Sequence, residues 1–384
     1  MKSKKSFSIL VVGGGPVGLF TALELARCGM KVTVIEQGHW PRDKVCGEGI
    51  MPAGVALLEQ AGVLGHIDKS QCHSFNGIQY RDGAIHCLGY FDSGSGLGVR
   101  RSALSAALYE RATREPHITL WEASQLVSLE KRRDRITVKI RGKHPLWQGD
   151  FIVGADGLQS RLRKLVGANT LKLTNRARLG ARLHLEVSPH EQVPQVQVYW
   201  GKGVEAYLTP SGEGMLEVAF LWEQKRSHAK ARDLEDWLWS QFPELEMRYR
   251  HRARLSEFRA LGGFGQRSSQ IAGEYWALVG DAAYFYDGIT GEGLSLGFAM
   301  GRCLAVGLAT SNLRDYQKRS NRLIRHNIYL TRLALFMGRH PVLRSLAMRA
   351  MRRGLLSRIL AIASRLDVPR RPSARAFQTF SKWA

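Results

Sequence analysis

The sequence predicts an α/β protein: a Rossmann-like nucleotide-binding domain, an antiparallel β-sheet domain inserted into it, and a helical C-terminal segment. Three observations carry that expectation. Near the start, Gly13-x-Gly15-x-x-Gly18 stands between an apolar strand and an amphipathic helix. Far downstream, two more apolar strands stop at aspartates, in Gly154-Ala155-Asp156-Gly157 and Gly280-Asp281-Ala282-Ala283. Between these two motifs the chain alternates polar and apolar residues as strands do, and after them basic and apolar residues recur at helical intervals.

The elements follow in chain order. Phe7 to Val12 is a short, β-branched-rich apolar run suited to a buried parallel strand. The glycine turn leads into a helix of about three turns that ends at Gly29, and Lys31 to Ile35 forms the second strand, closed by Glu36. This strand–turn–helix–strand context makes the glycine spacing a dinucleotide-binding fingerprint. Gly13 permits the tight turn, Gly15 lets the backbone approach a pyrophosphate, and Gly18 lets helix and strand pack closely. The helix N-terminus offers unpaired N–H groups to the anion. Glu36 accepts from a ribose hydroxyl pair, which disfavours a 2′-phosphate and leaves FAD and NAD as the candidates. The strands ending at Asp156 and Asp281 bring carboxylates to the carboxyl edge of the sheet, where they can hold sugar or ribityl hydroxyls.

Composition sets limits. A chain of 384 residues, 44% hydrophobic and 23% charged, suits two globular domains or one large discontinuous one. Five cysteines without a CxxC pair give neither a disulfide framework nor a metal centre, so a reducing, cytoplasmic setting is expected. The basic start MKSKK precedes a short apolar run that breaks into glycines, and it reads as a strand rather than a signal peptide. The net charge of +23 is concentrated at the end, where residues 313–384 hold seventeen Lys and Arg against two acids, Asp315 and Asp367. Basic amphipathic helices are expected there, broken near Gly354 and ended before Pro369. Two readings stay open: a solvated basic face packed across the body of the protein, or peripheral contact with an anionic membrane or an acidic carrier. Nucleic acid is not expected as a partner, since no recognition motif is present.

The three glycine–aspartate motifs, in this order, resemble the flavin motifs of the para-hydroxybenzoate hydroxylase superfamily, the FAD-dependent aromatic hydroxylases and their relatives. The resemblance implies a glutathione-reductase-type FAD-binding domain with tightly bound FAD. It assigns Gly13, Gly15, Pro16, Val17 and Gly18 to the pyrophosphate turn and Glu36 and Gln37 to the adenosine side. Asp156 and Gly157 tie the pyrophosphate region together, and Gly280 and Asp281 bind the ribityl chain; Leu126 and Leu294 complete the set. An arginine of Gly98 to Leu104 faces the cofactor, and the Arg-x-x-Leu match favours Arg101 while leaving Arg100 open.

A narrower resemblance rests on Pro41-Arg42-Asp43-Lys44-Val45-Cys46-Gly47-Glu48-Gly49 and Asp287-Gly288-Ile289-Thr290-Gly291-Glu292-Gly293. Both are similar to segments of geranylgeranyl-reductase-like oxidoreductases, a branch that also contains bacterial biosynthetic monooxygenases. By that resemblance Arg42 lies near the FAD phosphates and Cys46 and Gly47 approach the isoalloxazine. The turn of Thr290, Gly291, Glu292 and Gly293 places N–H groups by the reactive edge, with Cys46 and Glu48 on a neighbouring wall. Cys46 has two readings, a buried packing thiol or a redox and proton-transfer group. Trp237 and Trp239 lack the Ile-Pro of a halogenase motif and read as packing.

The FAD-binding domain is expected to comprise residues 1–73, 97–170 and 272–312. Residues 74–96 and 171–271 form the substrate domain, whose sheet roofs the flavin with Tyr199, Trp200, Tyr207 and Phe220 as candidate wall aromatics. Three functions follow from the resemblance. The first is a monooxygenase using NADH or NADPH and O2 on a lipophilic aromatic, polyketide-like or ketone substrate, free or carrier-bound, in biosynthesis of a secondary metabolite. The others are a flavin reductase of C=C bonds and an FAD-binding protein without turnover. No second glycine fingerprint is present for the nicotinamide, so that donor binds transiently.

Overall fold

The computed structural model describes residues 7–132, 135–227, 230–351, 354–363 and 366–370. Five parallel strands form the central sheet, in the order Trp276–Leu278, Phe151–Gly154, Ser8–Val12, Lys31–Ile35, Ile118–Trp121. Their apolar, β-branched character follows from burial on both faces; Ile9, Leu10, Val11, Ile152 and Leu278 are fully enclosed. The register sets Val12 beside Gly154 and Gly154 beside Leu278, which brings all three sequence motifs to one edge of the sheet. Helices Pro16–Arg27 and Gly293–Ala309 pack together, with the Phe20 and Phe298 rings 4.7 Å apart and Glu24 paired to Arg302 in the interior.

A seven-stranded sheet lies over that edge. Its order is Arg259–Gly262, Arg178–Glu186, Met215–Glu223, Val204–Gly212, Val196–Trp200, Gly77–Asp82, Ile85–Tyr90, antiparallel throughout except where Val196–Trp200 meets Gly77–Asp82. Helix Leu234–Ser240 covers its back, where Phe220 meets Trp239 edge-on and Trp237 packs against Trp222. The two tryptophans are packing residues, as their amphipathic context indicates. Tyr199 joins this second core, and Trp200 stacks on Tyr80 under the Arg344 guanidinium. Of the four candidate wall aromatics, Tyr207 reaches the cavity, whereas Phe220 lies on a strand that borders it and turns its ring to the back of the sheet against Trp239.

The C-terminal segment begins with helix Leu313–Arg339, capped by Asn312, whose side chain accepts the Asp315 N–H at 3.1 Å. It buries Tyr316, Leu323, Ile324 and Leu335 against the nucleotide-binding core. The chain breaks at His340, because Pro341 cannot continue the helix, and restarts as Pro341–Met351. Gly354, at φ 82°, precedes the last helix, Leu355–Ala363. The break expected near Gly354 is present, and the one at Pro341 is additional.

Candidate active site

A cavity of about 250 Å³ opens between the carboxyl edge of the parallel sheet and the face of the seven-stranded roof. Gly15, Pro16, Val17, Cys46, Gly47, Arg101, Gly157 and Asp281 line it, and so do Thr290, Gly291, Gly293 and Leu294. Apolar side chains of the roof, among them Ala219, Leu221 and Val198, make up the opposite wall.

The motif glycines divide into two roles. A Cβ on Gly13, whose φ is 102°, would stand 2.5 Å from the Ala155 carbonyl oxygen, and one on Gly18 would stand 1.9 Å from the Gly13 carbonyl oxygen. These two let the backbone fold on itself. A Cβ on Gly15 would meet nothing within 4 Å, in a turn that lines the cavity at the start of a helix. Gly15 therefore keeps space clear for a group outside the chain. Arg101 also lines the cavity, and one of its Nη atoms is buried without a partner. Lys44 holds its ammonium 3.9 Å from the Asp281 carboxylate. An open helix N-terminus, an orphaned guanidinium nitrogen and a lysine fit the phosphates of FAD, and Asp281 fits its ribityl hydroxyls.

Other expected cofactor residues lie behind this surface. Glu36 is buried and accepts the Gly14 N–H at 2.9 Å and the Gly38 N–H at 3.0 Å, and it pairs with Arg42. Arg42 is thus held by Glu36, and its backbone N–H donates to Ser105 Oγ at 2.9 Å. Gln37 is exposed next to Glu36, and Leu126 is buried in the core. Asp156 accepts the Arg161 and Leu162 N–H groups at 2.7 and 3.1 Å, capping a short helix, while its second oxygen is buried without a partner. Gly280, at φ 56°, abuts Val17. Arg100 stands just before the helix Arg101–Thr113 and donates its N–H to the Gln71 carbonyl, and of the two arginines Arg101 lines the cavity.

At the far end the turn Gly288–Gly293 is fixed from three sides. Asp287 accepts the Ile289 N–H at 3.0 Å, and the Tyr207 hydroxyl donates to the Ile289 carbonyl at 3.2 Å. Arg178 is buried between Asp287, 2.8 Å away, and Glu205, 2.5 Å away. Glu292 points out of the cavity toward the long helix, where Asn327 donates to it at 2.8 Å and accepts from Tyr284 at 2.9 Å. Burial pushes the Glu292 carboxyl up to about 7, against the opposing Asn327 hydrogen bond. Gly291, at φ 66°, leaves the cavity side of the turn open.

The sequence placed Glu48 on the wall beside Cys46; the structure lines the cavity with Cys46 and buries Glu48 behind it, in a charged cluster whose other members sequence reading missed. The Glu48 carboxylate is buried, 2.7 Å from His184 Nε2, and accepts the Arg101 N–H at 2.8 Å; its own N–H donates to Glu217 at 3.0 Å. His184 in turn lies 2.7 Å from Ser256 Oγ, and Arg182 joins Glu48 to Asp43. Glu217 lines the cavity with one oxygen buried and unpartnered, and desolvation together with the nearby Glu48 charge raises it to about 8. At neutral pH it is mostly a protonated acid able to donate. Burial also pushes the Cys46 thiol up, so it stays protonated and serves as wall. The one available signal was Glu217 itself, an acid inside the otherwise apolar run of residues 215–222.

Comparison with known proteins agrees with this geometry. A menaquinone reductase of Mycolicibacterium smegmatis is 25% identical over 324 residues, covering 80% of this chain and 78% of that protein. The 3-demethoxyubiquinol 3-hydroxylase of Escherichia coli is 26% identical over 310 residues, 76% of each chain. The crystal structure of p-nitrophenol 4-monooxygenase PnpA from Pseudomonas putida DLL-E4 superposes with a TM-score of 0.82 at 17% identity, covering 95% of this chain and 99% of that one, which shows the shared fold. A family described as "FAD binding domain" matches residues 6–314. With that match, the three flavin motifs and a cavity shaped for the cofactor, the chain belongs to this family of FAD-dependent oxidoreductases, within the para-hydroxybenzoate hydroxylase superfamily.

Proposed function

We propose that the protein is an FAD-dependent monooxygenase that takes electrons from NADH or NADPH and places one oxygen atom of O2 on a lipophilic aromatic or quinone-like molecule in a biosynthetic pathway. The observation that carries this reading is the cavity: an apolar roof closes over the carboxyl edge of the FAD-binding sheet, with the Gly291 turn and Glu217 on its walls. When bound, FAD supplies the redox chemistry. The chain's own residues exclude water through Ala219, Leu221 and Val198 and hold a hydrogen-bond donor at Glu217 for an oxygen of the substrate. The backbone N–H of Glu48 holds one Glu217 oxygen in place, and the Glu48 carboxylate is itself fixed by His184 and Ser256 behind the wall. Two relatives matching over three quarters of the chain carry the names of quinone-class substrates, which supports a lipophilic redox-active ring.

The relative named a menaquinone reductase favours a second reading, reduction of such a substrate without oxygen. Holoenzyme incubated with NADH or NADPH and a lipid extract of the producing cells, under air and under argon, separates the two. The monooxygenase forms an oxygenated product in air only. A reduced product formed equally under argon carries the reductase instead, and no product in either gas supports FAD binding without turnover.

A further inference from the structure

We infer that the outward face of the three C-terminal helices docks on an anionic lipid bilayer. Among the described residues sixteen large hydrophobic side chains are exposed, and nine of them fall between Tyr329 and Ile362, too concentrated for scattered surface apolarity. They keep helical spacing. Tyr329, Leu333 and Phe336 form one stripe on Leu313–Arg339, diametrically opposite the buried Asn327, Thr331 and Leu335. Leu355, Ile359 and Ile362 form another on the last helix, whose inner side chains Leu356 and Leu360 press on Gly89 of the sheet. Between them Val342, Leu343 and Leu346 face outward from a helix whose Arg344 and Met348 are buried and whose Arg344 pairs with Asp82. The inner faces are taken, and the outer faces remain apolar.

Charge identifies the occupant. No acid occurs from Tyr316 to Leu366. Arg325, Arg332, Arg349 and Arg358 are exposed on the same helices and form no ion pair among the described residues. Apolar side chains flanked by arginines, with no counter-charge, are the composition of a helix lying in the headgroup boundary, where the arginines meet lipid phosphates. A second copy of the chain would bring like charge against like charge. No helix among the described residues is long and apolar enough to cross a membrane, so the contact is peripheral. This inference is independent of the reaction type.

Flotation of full-length holoenzyme with phosphatidylcholine vesicles, with and without phosphatidylglycerol, tests it at low and high salt. Expected is binding to the anionic vesicles that is at least about tenfold tighter than to neutral ones and falls with salt. Replacing Arg325, Arg349 and Arg358 with Gln together weakens it about a hundredfold, near fivefold for each arginine. The triple change Leu355→Ser, Ile359→Ser, Ile362→Ser also releases the protein, whereas Met247→Ser, 80% exposed on the substrate domain, does not. Bound FAD and far-ultraviolet circular dichroism verify that each variant is folded. Wild type that ignores anionic vesicles, variants that bind like wild type, or equal partition onto neutral vesicles would each overturn the proposal. Self-association or capture of an acidic protein by this face without lipid binding would overturn it as well.

Discussion

Substituting Gly15 with alanine should separate cofactor binding from folding. Gly15 has φ −70° and ψ 173°, a conformation that any residue adopts, and a Cβ there touches no protein atom within 4 Å. The folded apoprotein therefore loses nothing, and reduced freedom of the unfolded chain stabilises it by about 0.4–1 kcal/mol. The methyl group instead occupies space at the helix N-terminus where a phosphate approaches. Losing one charge-assisted N–H contact costs about 1.5–3 kcal/mol, or roughly 10- to 150-fold in FAD affinity. Gly18→Ala is the contrast: its Cβ would stand 1.9 Å from a backbone oxygen, so that variant fails to reach the native fold in good yield. Urea unfolding of apoprotein and quenching of FAD fluorescence on titration measure the two effects. If Gly15→Ala unfolded at markedly lower urea, or bound FAD as wild type does, the turn would be a packing element and the cradle would be wrongly placed.

Further expectations concern the buried charges. Glu217, raised to about 8, keeps a proton in the folded chain that an unfolded glutamate releases near pH 4.3, so its contribution to stability is complete below that pH and declines as pH rises through 8. Glu217→Gln removes this slope, and between pH 6 and 8 wild type should lose up to about 1.4 kcal/mol per pH unit relative to the variant; parallel urea curves at the two pH values would contradict it. Arg178→Met leaves Asp287 and Glu205 buried without their cation and should cost about 3–5 kcal/mol in unfolding free energy, so near-native stability would refute the role given to that ion pair. Asn327→Leu removes the donor to Glu292 and the acceptor from Tyr284, with about 1–3 kcal/mol lost in thermal unfolding; an unchanged midpoint would mean that the long helix does not anchor the Gly291 turn.

Much of this architecture is legible in the sequence because its signals are local. The glycine spacing, the β-branched strands and the aspartates that end them each lie within a few residues, and parallel pairing then places Val12, Gly154 and Leu278 side by side. The charged cluster is not local: Glu48 meets Glu217 across 169 residues and His184 across 136, and no short-range pattern marks such pairs. Glu36 shows a related limit. Its spacing from the glycines was readable, but its hydrogen bonds to Gly14 and Gly38 and its pairing with Arg42 depend on how the following loop returns. In the C-terminal segment helical periodicity gave the helices, and the sheet contacts of Arg344, Leu356 and Leu360 decided which faces stay exposed.

Isotope labelling tests the central claim most directly. Holoenzyme turning over a lipid extract of the producing cells with NADH or NADPH under ¹⁸O₂ in ordinary water should yield a product carrying one ¹⁸O atom, read by mass spectrometry. A product that instead gains two hydrogens, takes up no ¹⁸O and forms at the same rate without oxygen would contradict the monooxygenase and assign the cavity to a reductase.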